Sequence, residues 1–100
     1  MKEIIVTEET RKALVSIVNK IKVSPVMTYP EKFRINNAFD FGNMTTEQLR
    51  DTRNQVVKAC SNVKRGLRAE GKWGQFDRMD CLMSKVVTVI DEHLFNEGAL

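Results

Sequence analysis

Few residues of this 100-residue chain carry the chemistry of a catalyst, and their spacing keeps them apart. Cys60, Cys81 and a lone histidine, His93, make up its soft and readily titrated side chains. The two cysteines are too far apart for a knuckle, and one histidine cannot complete a tetrahedral zinc set from local pairs, so neither a metal nor a cofactor is expected. Cys60 falls within an apolar seam with no base in view, which reads as a small buried hydrophobe rather than a nucleophile. Cys81 is expected to point away from the core stripe and to be the thiol that reacts with a labelling reagent. His93 lies on the apolar side of a helix near its C-terminus, where packing or capping against the negative end of the helix dipole is the ordinary role. Asp77 and Asp80, three apart, could hold a cation, but carboxylates there more often sit in the favourable first turn of a helix or cap it. No Walker sequence, GxGxxG or HExxH motif is present. Gly71 and Gly74 flank Trp73 without the spacing of a phosphate loop. A catalytic role is disfavoured on these grounds.

Cations offer more. At about 100° per residue, Arg50, Asn54, Lys58, Ser61, Arg65, Arg68 and Lys72 share one helical stripe with no acid on the line, and Trp73 closes it. Such a stripe could track phosphates, with the indole stacking on a base, or anchor a protein contact. The ordinary alternative is a solvated helix face, with cations gathered near a C-terminus for the dipole and Trp73 tucked into a corner. Tyr29, Lys32, Phe33 and Arg34 form a second, weaker candidate surface beside Pro30, since aromatic and arginine side chains recur at interface hot spots. Its ordinary alternative is an apolar loop that closes the open end of a small bundle.

The elements that must position these residues read as an all-α three-helix bundle, a single domain over 1–100. Hydrophobic residues make up 42% and charged residues 29%, too apolar for disorder and enough for one core. No apolar run at the N-terminus is long enough for a signal peptide or a membrane span, so a cytoplasmic protein without membrane contact is expected. The first helix, about 8–22, should be capped by Thr7 and bury Leu14, Ile17, Val18 and Ile21. It should stop before Val23-Ser24-Pro25. The second, about 46–70, has Thr45 and Gln48 as a capping box and Met44 with Leu49 as a staple. Leu49, Val56, Cys60, Val63 and Leu67 form its apolar seam until Gly71 supplies a left-handed stop. Arg53 sits in that seam, its stem expected at the core edge and its guanidinium in solvent. Thr52, Ala59 and Gly66 form a strip of small side chains that would let another helix approach closely. The third helix, about 75–96, is apolar over nearly half its circumference and should be central, antiparallel to the second, with Gly98 past its end. Residues 23–44 form a long connection containing Tyr29, Phe33, Phe39 and Phe41. It could hold a short helix started by Pro30, or a strand paired with Ile4–Val6.

With no catalytic constellation, the expectation is a small non-catalytic binding protein, an inhibitor, adaptor or regulator working through protein–protein contacts. A nucleic-acid-binding protein using the basic stripe is the rival. The net charge of +3 favours acidic partners only weakly. A second copy of the chain is also a conceivable partner, through the small-residue strip or the wide face of the third helix.

Overall fold

A computed structural model describes residues 8–98. Among them every regular element is helical: α1 (Glu8–Val18), α2 (Tyr29–Phe39), a 3-10 turn (Phe41–Asn43), α3 (Thr46–Ala69) and α4 (Trp73–Asn96). The bundle therefore has four α-helices rather than three, because the connection expected over 23–44 contains a helix of 11 residues. The expected cap Thr7 and the alternative strand Ile4–Val6 lie outside the described residues.

Helices α3 and α4, of 24 residues each, form an antiparallel hairpin. The start of α3 follows its sequence signal. The Thr45 hydroxyl accepts from the Gln48 N–H at 3.1 Å, and the Gln48 side chain accepts from the Thr45 N–H at 2.9 Å. Its end is a Schellman turn: Gly71 is left-handed (φ 72°), the Lys72 N–H reaches back to the Leu67 carbonyl at 2.9 Å, and the Gly71 N–H reaches the Arg68 carbonyl at 3.1 Å. Three polar rungs mark the register, with partner numbers running in opposite directions: Thr46 to Glu97, Arg53 Nε to Asp91 Oδ1 at 2.9 Å, and Lys64 Nζ to Asp80 Oδ1 at 2.6 Å. Arg53 is partly exposed, as expected of a guanidinium at the core edge, and it is in addition paired across the hairpin.

Helix α4 touches α1, α2 and α3 and is the central element. Its buried residues Met79, Leu82, Val86, Val89, Ile90 and Leu94 meet Leu49, Val56 and Cys60 from α3, Leu14 and Ile17 from α1, and Ile35 and Phe39 from α2 in one core. The seam of α3 is sealed only as far as Cys60; Val63 is exposed and Leu67 half-buried. Val63 stands across an open groove from Leu14 and Val15 of α1, and beyond it the short α1 no longer covers the hairpin. At 1.5 Å per residue α1 is about 16 Å long and α3 about 36 Å. Thr10 is hydrogen-bonded to Gln55 and Asn19 to Arg78, so the end of the hairpin overhangs α1. The small-residue strip does not bring a helix close at Gly66, which is exposed and would have nothing within 4 Å of an added Cβ.

The position of α2 depends on a buried ion pair. Lys85 on α4 is 3% exposed and Glu31 on α2 is 2% exposed, with Nζ and Oε2 2.7 Å apart. The Glu31 Oε2 atom also accepts from the Lys22 N–H at 2.9 Å, while Oε1 accepts from the Thr28 N–H at 3.0 Å and the Thr28 hydroxyl at 2.9 Å. Lys85 donates a further bond to the Lys22 carbonyl at 3.0 Å. Both backbone groups of Lys22 are therefore taken by this pair, so Lys22 cannot be part of the helix, and α1 ends earlier than expected, at Val18, followed by a tight turn in which the Lys20 N–H reaches the Ile17 carbonyl. Burial alone would raise the Glu31 pKa. The bonds from Lys85, the Thr28 and Lys22 N–H groups and the Thr28 hydroxyl outweigh it and hold the carboxyl at about 2, against an ordinary 4.5.

Two expectations follow. A carboxyl whose pKa is depressed on folding contributes stability that is complete above pH 4.5 and is lost as the pH falls towards 2, on the order of 3 kcal/mol in all. Urea unfolding between pH 6 and pH 2, at about one-unit steps, should show that decline, and Glu31→Gln should flatten it while lowering stability at neutral pH. Gly66→Ala should stabilise the protein by about 1 kcal/mol, because a helical glycine in open space gains propensity without a clash. A lowered melting temperature for this variant would show that the site is crowded.

Candidate partner-binding surfaces

The four weaker candidates, Tyr29, Lys32, Phe33 and Arg34, are brought together on α2. Its inward face is set by Glu31, Ile35 and Phe39, spaced four apart and all buried. Tyr29 and Phe33, also four apart, fall on the opposite side and are 80% and 57% exposed. Lys32, on one flank of this aromatic ridge, reaches Glu92 of α4 at 2.6 Å. Arg34, on the other flank, is exposed and pairs with no carboxylate among the described residues. The aromatics of the connection thus divide between two roles. Phe39 and Phe41 close the core, stacked at 5.1 Å with 3° between their planes, and Phe41 lies 5.8 Å from the His93 ring. Tyr29 and Phe33 do not. Val26, 67% exposed just before α2, adds to the apolar surface and was not among the sequence candidates.

The basic stripe of α3 is less uniform than its spacing implies. Arg50 is exposed near the start of the helix and Lys58 is half-buried. Arg65 and Arg68 are exposed at the far end, about 22 and 27 Å from Arg50 along the axis. Lys72 is exposed and pairs with Glu70 at 3.0 Å. Trp73 opens α4 and is 55% exposed, in edge-to-face contact with Phe76 at 5.5 Å, so the corner does not enclose it. Sequence reasoning missed Lys64, which sits 5.2 Å above the Phe76 ring while bridging to Asp80. Its place beside the apolar seam, one hairpin width from an aspartate, was the available signal. Residues 58–80 contain six cations and three acids, a local excess of positive charge around the hairpin end.

A third surface was not foreseen. Leu14 and Val15 of α1 face Ala59, Val63 and Met79 across an apolar groove of about 490 Å³, rimmed by Glu8, Arg11 and Lys12.

The residues with catalytic potential are arranged differently. Burial pushes the Cys60 thiol up to about 12, with Lys64 acting weakly against the rise and Asp80 adding to it. Cys81 does not point away from the core. It is half-buried and packs against it, in a shallow cleft of about 290 Å³ shared with Asp80, Ser84, Lys85 and the Val23–Pro25 backbone turn. Asp80 is paired with Lys64 and Lys85 with Glu31. His93 Nε2 lies 2.8 Å from Asn36 Oδ1, tying α4 to α2. Asp77 and Asp80 do not cap α4, because the helix already starts at Trp73. Among the described residues no group of three or more histidine, cysteine or acidic side chains could hold a metal ion. In the native protein a thiol reagent should modify Cys81 alone, slowly, and Cys81→Ser should abolish that reaction. Modification of Cys60 at a comparable rate would mean that the α3–α4 core opens readily.

Compared with protein-family models, with curated proteins and with solved structures, the chain matches none.

Proposed function

We propose that this chain is a small non-catalytic binding protein, an inhibitor, adaptor or regulator, that acts by docking on another protein through the outer face of α2. One observation carries the reading: Tyr29 and Phe33 stand in water, one turn apart, on a helix whose other side is held by Ile35, Phe39 and the Glu31–Lys85 pair. Burying a large apolar side chain is worth about 1.5–3 kcal/mol, which these two forgo within the chain and a partner could recover. Because α2 is already ordered against α4, a partner would meet a preorganised ridge and would not have to order it on binding. Arg34 beside the ridge adds a side chain common at hot spots. Two unpaired cysteines suit a reducing compartment, and the reading includes a cytoplasmic location.

The second reading, nucleic-acid binding, is favoured by the hairpin end, where Arg65, Arg68 and Trp73 are exposed within a segment of excess positive charge. Affinity would then rest on phosphate contacts and fall steeply with salt.

Affinity purification of the tagged chain from its native cells, with and without nuclease, separates the two. The expected result is a protein partner that survives nuclease and is recovered at least tenfold less with Tyr29→Ala/Phe33→Ala, a loss of at least about 1.4 kcal/mol. Arg65→Glu/Arg68→Glu should retain it. Co-purifying nucleic acid that disappears with the arginine variant would favour the second reading. Equal recovery of one partner by every variant would remove both surfaces from consideration.

A further inference from the structure

The corner between α3 and α4 joins its cations and aromatics through contacts. Lys64 Nζ lies 5.2 Å above the Phe76 ring, and Trp73 meets the same ring edge-to-face at 5.5 Å. Arg68 follows Lys64 by four residues and Arg65 by three, so it neighbours both on the surface of α3. The backbone of the turn fixes Trp73 to the same end of the helix. The Gly71 N–H donates to the Arg68 carbonyl at 3.1 Å, and the Trp73 N–H donates to the Gly71 carbonyl at 3.1 Å. Arg65 and Arg68 are exposed and pair with no carboxylate among the described residues. Trp73 is the single tryptophan of the chain and is 55% exposed. Of the acids nearby, Asp80 is held by Lys64 and Glu70 by Lys72, while Asp77 is exposed one turn after Trp73.

We propose that this corner binds single-stranded nucleic acid, with Trp73 stacking on an unpaired base and Arg65 and Arg68 holding phosphates of the same strand. The proposal rests on the nucleic-acid reading of the hairpin end, adds the form of the ligand, and is independent of the α2 ridge. An aromatic platform beside a cationic surface is the arrangement that holds an unpaired strand without regard to its sequence. Duplex fits less well, since a groove reader lays a helix along base edges, whereas the groups exposed here surround a turn. A protein anchor fits less well, because the core of an interface surrounds its aromatic with apolar contacts and the neighbours of Trp73 in the chain are Lys72 and Gly74. An anionic membrane would need a continuous apolar face, which one indole does not make.

The test titrates the full chain with oligothymidylate and with a DNA duplex of the same length, following both the anisotropy of the labelled oligonucleotide and the fluorescence of Trp73, which as the single tryptophan reports this corner alone. The expected outcome is quenching of Trp73 by the single strand and at least tenfold weaker binding of the duplex. Trp73→Ala should weaken the single strand at least fivefold. Arg65→Ala/Arg68→Ala should flatten the plot of log affinity against log salt by about 1.4, two phosphate contacts at about 0.7 each. Asp77→Asn should tighten binding, and Tyr29→Ala/Phe33→Ala should leave it unchanged. The substituted residues are exposed, and circular dichroism checks that the helices persist. Equal affinity for duplex and single strand, or arginine-dependent binding that Trp73→Ala leaves unchanged, would overturn the single-stranded form and leave the nucleic-acid reading intact. Binding that ignores salt and the arginine pair, or no binding of either oligonucleotide, would overturn both. Tighter binding to phosphatidylserine vesicles than to oligothymidylate would also overturn the proposal.

Discussion

The buried pair of Glu31 and Lys85 is the constraint on which the arrangement of this molecule depends. Taking two charges out of water costs several kcal/mol per ion, and the cost is recovered only when geometry is good and the remaining hydrogen-bonding capacity is used. Both conditions hold here. Glu31 accepts four hydrogen bonds and Lys85 donates two, to groups drawn from α4, α2 and the turn between α1 and α2. Against an apolar replacement such a pair is a weak source of net stability. What it supplies is placement. Lys85 must meet Glu31, 54 positions before it, together with the turn that leads into α2, and any shift of α2 along α4 would leave a charge buried without its partner.

From that point the rest of the bundle follows by length and register. The turn after Val18 surrenders the Lys22 N–H and carbonyl to the pair, so the chain turns and re-enters as α2. Lys32 to Glu92 and Asn36 to His93 then continue the contact between α2 and α4 at later positions of both helices. α2 therefore serves the half of the hairpin that carries the C-terminus of α4, and α1 serves the middle. Nothing among the described residues covers the last turn of α3 and the first turn of α4. The exposure of Trp73 and the incomplete burial of Leu67 are consequences of unequal helix lengths rather than of any local instability.

What the sequence made legible was local. The capping box at Thr45, the left-handed stop at Gly71 and the apolar width of α4 are signals written within one or two turns, and the structure reproduces each of them. Contacts between distant segments were not legible in the same way. Thr28-Tyr29-Pro30-Glu31 has the spacing of a capping box with proline inside the first turn, so the start of α2 was available. That its glutamate would also serve a lysine 54 positions away was not. Lys85 falls between Leu82 and Val89 on the apolar face of α4, and a cation in that position announces a buried partner without naming it. The candidate surfaces had a similar fate. Periodicity placed Arg50 through Lys72 on one side of a helix, but only the lengths of neighbouring helices decide which part of that side stays open.

The interior and the exterior of this protein are consequently one problem. The segment from Arg11 to Phe39 would carry a carboxylate on its surface if Glu31 faced water, and its cations would have a local counter-charge. Because Lys85 draws that carboxylate inside, the segment shows no acid of its own at the surface and Lys32 takes its counter-charge from Glu92 of α4, and because Ile35 and Phe39 follow Glu31 inward at four-residue spacing, Tyr29 and Phe33 are turned outward by the same helical register. Rotating α2 to bury its aromatics would return Glu31 to solvent and strand Lys85 in the core. The rotation would also expose Ile35 and Phe39, so the stranded ammonium and the two lost core side chains together outweigh what burial of two rings returns, and the interaction that holds the core in place also keeps the aromatic ridge open.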